Sequence, residues 1–147
     1  MRIKIERVSA ETLSVPYLIV RHIARGTETH ARVVRVTLTA GGKSGRGEAH
    51  PTLRYDETEE TILAAVEAAR PHLEAGVTRE ELLTLMKPGP ARNAVDCALW
   101  DLEAKLSGES VEAIAGVIAY RMEGGSVATQ ELSRAFDRLG DEIDRRL

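Results

Sequence analysis

The hydrophobic pattern of this chain changes its period once. Up to about residue 49 apolar residues tend to alternate, and from about residue 56 they recur at steps of three and four. Strands grouped first and helices second predict an α+β fold with an antiparallel sheet, rather than alternating βαβ units. Ile3, Ile5 and Val8 against Arg2, Lys4 and Glu6 read as the first strand. Leu13 to Val20 is a second apolar stretch, in which Pro16 lacks a ladder donor. The chain is therefore expected to leave the sheet there or to run along its edge. The polar stretch Arg21 to His30 reads as a loop of about ten residues. Val34, Val36 and Leu38 form the next strand, Ala40-Gly41-Gly42 a tight turn, and Lys43 to Glu48 the return. Gly45 and Gly47 weaken that strand, so they mark a bulge or a close backbone approach.

Asp56 with Glu59 fits a capping box, with Thr58 as a competing cap. Ile62, Leu63, Val66, Ala69 and Leu73 then share one helix face up to Gly76. Thr78 with Glu81 opens a short helix carrying Leu82, Leu83 and Leu85, which Lys87-Pro88-Gly89-Pro90 ends. A third helix from about Ala91 to Leu106 carries the stripe Ala94, Val95, Ala98, Leu99, Leu102 and Leu106, and stops at Ser107-Gly108. Ser110 to Ala115 adds one or two turns closed by Gly116. After the joint Gly124-Gly125-Ser126, the residues Leu132, Phe136, Leu139, Ile143 and Leu147 form an amphipathic stripe. Asp141 with Arg145, and Glu142 with Arg146, support that helix on its other face.

Composition limits function. With 147 residues the chain holds one domain and is too short for a large barrel, which needs about 250. A net charge of -3 argues against a nucleic-acid partner. No run of apolar residues is long enough to span a membrane, and the opening MRIKIERVSAETL reads as no signal peptide. The single cysteine excludes an internal disulfide and a multi-thiolate metal site.

Four segments carry a family resemblance. They are Ala24-Arg25-Gly26-Thr27-Glu28-Thr29 with Val33 to Val36, Gly45-Arg46-Gly47-Glu48-Ala49-His50-Pro51, Arg54-Tyr55-Asp56-Glu57-Thr58, and Arg92 to Lys105. Together they resemble the N-terminal capping domain of dipeptide epimerases of the enolase superfamily, the mandelate racemase/muconate lactonizing enzyme-like group. The resemblance covers about 1–116 and implies a three-stranded antiparallel sheet followed by a helical bundle. Residues 117–147 then form a non-family tail. In that family a barrel of the (β/α)7β kind holds magnesium on three carboxylates, and two lysines exchange the α-proton through an enolate. Neither the Lys-x-Lys motif nor the carboxylate set occurs in this sequence. The resemblance therefore implies a domain from a truncated epimerase, inactive alone, with no cofactor of its own and a dipeptide substrate only when a barrel is supplied. A cytoplasmic location follows from the same family.

By the same resemblance Arg25 clamps a substrate carboxylate, and no catalytic group lies in this chain. Arg54 and Tyr55 have two readings: a second lid segment that selects the side chain, or Tyr55 packed on the first helix with Arg54 in solvent. Leu132, Phe136, Leu139 and Ile143 are expected to bury their stripe on the same chain or in a homo-oligomer. Their spacing also resembles a BH3 helix, which makes an interaction module the alternative function. One part of a split epimerase is a further alternative.

The other candidates have structural readings. Glu48 and His50 share a strand face, but two ligands are too few for a metal. Gly41-Gly42-Lys43-Ser44 lacks the first glycine of a phosphate loop, where Thr37 stands, and reads as a hairpin turn. Asp96, Asp101 and Glu103 belong to a solvated or salt-bridged helix face. Cys97 reads as a small core residue beside the stripe.

Overall fold

A computed structural model describes residues 1–23, 26–52 and 56–122. The elements are β1 (Arg7–Ile23), β2 (Gly26–Ala40), β3 (Lys43–Ala49), α1 (Glu59–Ala75), α2 (Arg79–Leu85), α3 (Pro90–Ser107) and α4 (Val111–Met122). The sheet is antiparallel with the order β1-β2-β3. This is the α+β arrangement that the change of period predicts. Met1–Ser107 forms one unit, and a second begins at Gly108.

The sheet buries one face. Val34, Val36, Leu38 and Ala40 of β2 lie inside with Val8, Ala49 and the apolar stripes of α1 and α3. The turn from β2 to β3 places Gly41 and Gly42 at φ +55° and +70°, the doubly left-handed pair a two-residue hairpin requires. The β2–β3 register runs without a break from Val34 opposite Ala49 to Ala40 opposite Lys43. Gly45 and Gly47 therefore mark no bulge. A Cβ at Gly45 would lie 2.2 Å from the Ala98 carbonyl oxygen, and one at Gly47 2.1 Å from that of Ala94. The two glycines let α3 lie directly on β3. Side chains of α3 also complete the backbone bonding of β3: Arg46 N–H donates to Asp101 at 2.8 Å, and Lys105 donates to the Ser44 carbonyl at 2.9 Å.

Several expectations are corrected. The first strand does not include Ile3 and Ile5. Both are buried, but Ile3 forms an isolated bridge with Val77, and β1 begins at Arg7. The apolar stretch after Leu13 belongs to this same strand. Pro16 stays in it, opposite His30, on an edge strand. The Val8 carbonyl accepts from Arg70 on the outer side, and Pro16 has the same parity along the strand. Its missing donor therefore faces away from β2 and removes no ladder bond. In place of the expected loop, the described residues around it are strand: Arg21, His22 and Ile23 pair with Glu28, Thr27 and Gly26. The register slips between Pro16 and Arg21: five steps of β1 match the two steps from His30 to Glu28. Tyr17 to Val20 bulge from the ladder as a result.

Thr58, not Asp56, caps α1. It has the extended backbone a cap needs, and its hydroxyl accepts from Thr61 N–H, while Asp56 sits at φ +56°. The Thr78–Glu81 box on α2 is as predicted. Helix α4 (Val111–Met122) passes through Gly116. An interior glycine costs only about 1 kcal/mol, and no proline follows to stop the helix. Cys97 is exposed, not core. It falls just outside the stripe, and its thiol is held above the ordinary value, chiefly by desolvation and then by the Asp96 carboxylate. That is not an activated nucleophile.

Buried ionic chemistry joins α2 to α3. Arg79 and Glu103, 9% and 8% exposed, bond at 2.8 Å. The Arg79 guanidinium lies 3.4 Å from the centre of the Trp100 ring. Asp96 is half-buried, and desolvation raises its carboxyl above the ordinary value against opposing contributions from Arg79 and Trp100. A carboxyl raised in the folded state gives stability that is full below its unfolded value. That stability is lost as pH climbs toward the raised one. Asp96→Asn is therefore expected to be at least as stable as the parent near pH 7, with the difference shrinking near pH 4. Urea midpoints at the two pH values check this, and a variant weakened at both would contradict it.

Candidate functional site

The outer part of the β1–β2 hairpin extends past the core. From Gly26 to Arg32 β2 has no buried residue, whereas alternate residues from Val34 onward are buried. This two-stranded ribbon carries exposed apolar side chains on its bulge: Leu18 is 105% exposed, Ile19 82% and Val20 45%. Arg21 closes the bulge by donating to the Tyr17 hydroxyl at 3.0 Å and lying over its ring.

Between the ribbon and the junction of β3 with α1 lies a groove of about 920 Å³. Gly26 to His30, Arg32 and Ser14 line one side, and His50 to Thr52 with Thr58 to Glu60 line the other. Most of the lining residues are polar in type, and several carry hydroxyls. Arg32 joins the two sides. Its guanidinium binds Glu59 through Nε at 2.6 Å and Nη2 at 2.8 Å, and its carbonyl accepts from His50 Nδ1 at 2.8 Å. The hydrogen bonds from Arg32 hold the Glu59 carboxyl below its ordinary range. Glu60 is lowered by its own backbone N–H and the Thr58 hydroxyl, so the start of α1 presents two ionised carboxylates.

Arg25, Arg54 and Tyr55 lie outside the described residues. The described residues nearest to them in sequence, Gly26 and Thr52, both line this groove. Leu132, Phe136, Leu139 and Ile143, and the Gly124-Gly125-Ser126 joint, also lie outside the described residues. Glu48 and His50 do not converge. Glu48 pairs with Arg35 at 2.7 Å, and His50 turns to the Arg32 carbonyl. Among the described residues no three His, Cys, Asp or Glu side chains are grouped to hold a metal. These residues do not fit a magnesium site. Gly41 to Ser44 is the expected hairpin turn. Asp101 and Glu103 are salt-bridged, to Lys105 and Arg79. The Arg32–Glu59 tie was not legible: 27 positions separate the partners, and Glu59 reads in sequence as a cap residue. Among the described residues no helix is long and apolar enough to cross a membrane.

A short antiparallel sheet under one closely apposed helix, with the β1–β2 ribbon and the β3–α1 junction lining one groove, is the arrangement of a capping domain. The model of the mandelate racemase / muconate lactonizing enzyme N-terminal domain matches residues 5–116, and the chain belongs to that family. It is 45% identical over 95 residues to the L-Ala-D/L-Glu epimerase of Escherichia coli (strain K12), covering 65% of this chain and 30% of that protein. It is 39% identical over 74 residues to the N-acetyl-D-glutamate racemase of Pseudoalteromonas sp, covering 48% and 23%. Among solved structures, an enolase family member from Agrobacterium tumefaciens with homology to dipeptide epimerases superposes with a TM-score of 0.67 and 47% identity, covering 76% of this chain and 33% of that one. That structure holds sodium and L-Ala-L-Glu with an ordered loop. The chain thus spans less than a third of the curated relatives it matches. The family read from the four sequence segments is borne out.

Proposed function

We propose that residues 1–116 serve as the substrate-specificity cap of a dipeptide-epimerase-like isomerase, acting on dipeptides such as alanyl-glutamate in the cytoplasm. The observation that carries this reading is that Gly26 and Thr52, beside the candidate substrate residues in sequence, line one groove. Arg25 clamps a substrate carboxylate with its planar fork, and Arg54 and Tyr55 exclude water and select the side chain. Magnesium and the lysine bases belong to a barrel outside these 147 residues, where they would supply α-proton exchange. The exposed Leu18, Ile19 and Val20 are suited to meet such a barrel, since apolar patches of this kind mark contact surfaces. Residues 117–147 are a non-family tail whose stripe, Leu132, Phe136, Leu139 and Ile143, supports self-association.

On this reading the chain by itself is catalytically silent. With L-Ala-L-Glu and magnesium in deuterated water, it is expected to give no α-deuterium incorporation above a protein-free control. Incorporation that tracks chain concentration and is lost on chelation would overturn the reading.

A further inference from the structure

Among the described residues, the side-chain bonds beyond Arg32 stay within the ribbon: Arg21 with Tyr17, His22 with Thr27, and Thr29 with His30. Among the described residues, the outermost side-chain tie from the ribbon to the rest of the domain is at Arg32, opposite Ser14 on β1. A two-stranded ribbon with both faces in water is marginal by itself, so its direction depends on how its root is held. The root is held twice. The bidentate fork of Arg32 meets Glu59, whose side chain is only 14% exposed, and the Arg32 carbonyl meets His50. A fork–fork pair fixes orientation as well as distance, which a lysine cannot do.

We infer that Arg32 is a positioning residue: it pins the root of the ribbon to the start of α1 and to the end of β3, and so sets the groove between them. Its functional consequence rests on the reading of that groove as substrate-facing, but the pinning itself does not. The pin acts on the ribbon alone, because the core strands below it are held by buried packing.

Amide hydrogen exchange on the full 147-residue chain tests this without substrate or barrel. Arg32→Gln and Glu59→Gln are each expected to speed exchange of the ribbon amides from Thr27 to Ala31 about fivefold. The amides of Val34, Val36 and Leu38 keep their parent rates. Arg32→Lys falls between parent and Gln, and the exchanged pair Arg32→Glu with Glu59→Arg restores protection. Arg35→Gln, which breaks the Arg35–Glu48 pair on the same sheet, leaves the ribbon unchanged. Unchanged ribbon exchange in both Gln variants would overturn the inference. So would equal acceleration in ribbon and core, or no restoration by the exchanged pair. Failure of the epimerase reading would appear only in substrate assays and leaves these rates untouched.

Discussion

Gly47→Ala is expected to prevent α3 from docking on β3. The new methyl would stand 2.1 Å from the Ala94 carbonyl oxygen and 2.8 Å from the Ala98 nitrogen. Both are helix backbone atoms, which cannot turn aside as a flexible side chain does. Relief requires moving the whole helix, and with it the buried contacts of Ala94, Val95, Ala98, Leu99 and Leu102. Overpacking of this kind costs about 3 kcal/mol or more, a large part of the stability of a small domain. Gly45→Ala meets the Ala98 carbonyl oxygen at 2.2 Å and is expected to act alike. Gly42→Ala is the control: nothing lies within 4 Å of the new methyl, and only its φ of +70° is strained. It should lose about 1 kcal/mol. Urea unfolding followed by circular dichroism orders the three, and a Gly47→Ala chain as stable as Gly42→Ala would contradict the packing described.

Glu103→Leu should produce the next largest loss. Glu103 faces the Arg79 guanidinium at 2.8 Å, with the Met1 amine 3.5 Å away on its other oxygen. Removing the carboxylate leaves Arg79 buried against the Trp100 ring with only the half-buried Asp96 carboxyl to offset its charge. Breaking one side of a buried pair costs about 3–5 kcal/mol, because the desolvated charge remains. The double change Arg79→Met with Glu103→Leu removes both charges and should recover most of the loss. Unfolding midpoints of the single and double variants decide the point. A double variant as weak as the single would show that packing volume, not the orphaned charge, sets the cost.

The parts of the fold that were legible from sequence are those with one buried face. The 3.6-residue stripes of α1 and α3, the Thr78–Glu81 box and the Gly41-Gly42 turn each follow from a local rule, and the structure has them. The ribbon was not legible because both of its faces meet water, which removes the alternation that marks a strand. Its paired polar residues therefore read as loop. Asp56 misled because its side chain suits a cap while its backbone conformation does not. The groove owes its shape to Arg32, His50 and Glu59, whose contacts depend on how the hairpin and α1 are placed in space. The site residues expected from sequence, Arg25, Arg54 and Tyr55, rest on segments that resemble a known family, not on a local chemical motif, and lie outside the described residues.

On the proposed function, residues 1–116 are a cap able to serve an epimerase barrel. A chimera tests it most directly: these residues replace the corresponding N-terminal segment of the Escherichia coli L-Ala-D/L-Glu epimerase, to which the chain is 45% identical over 95 residues. The chimera is expected to fold and to epimerise L-Ala-L-Glu, with activity lost on Arg25→Ala and unaffected by Cys97→Ala. A chimera that folds, binds magnesium as the parent enzyme does and yet gives no epimerisation would contradict it.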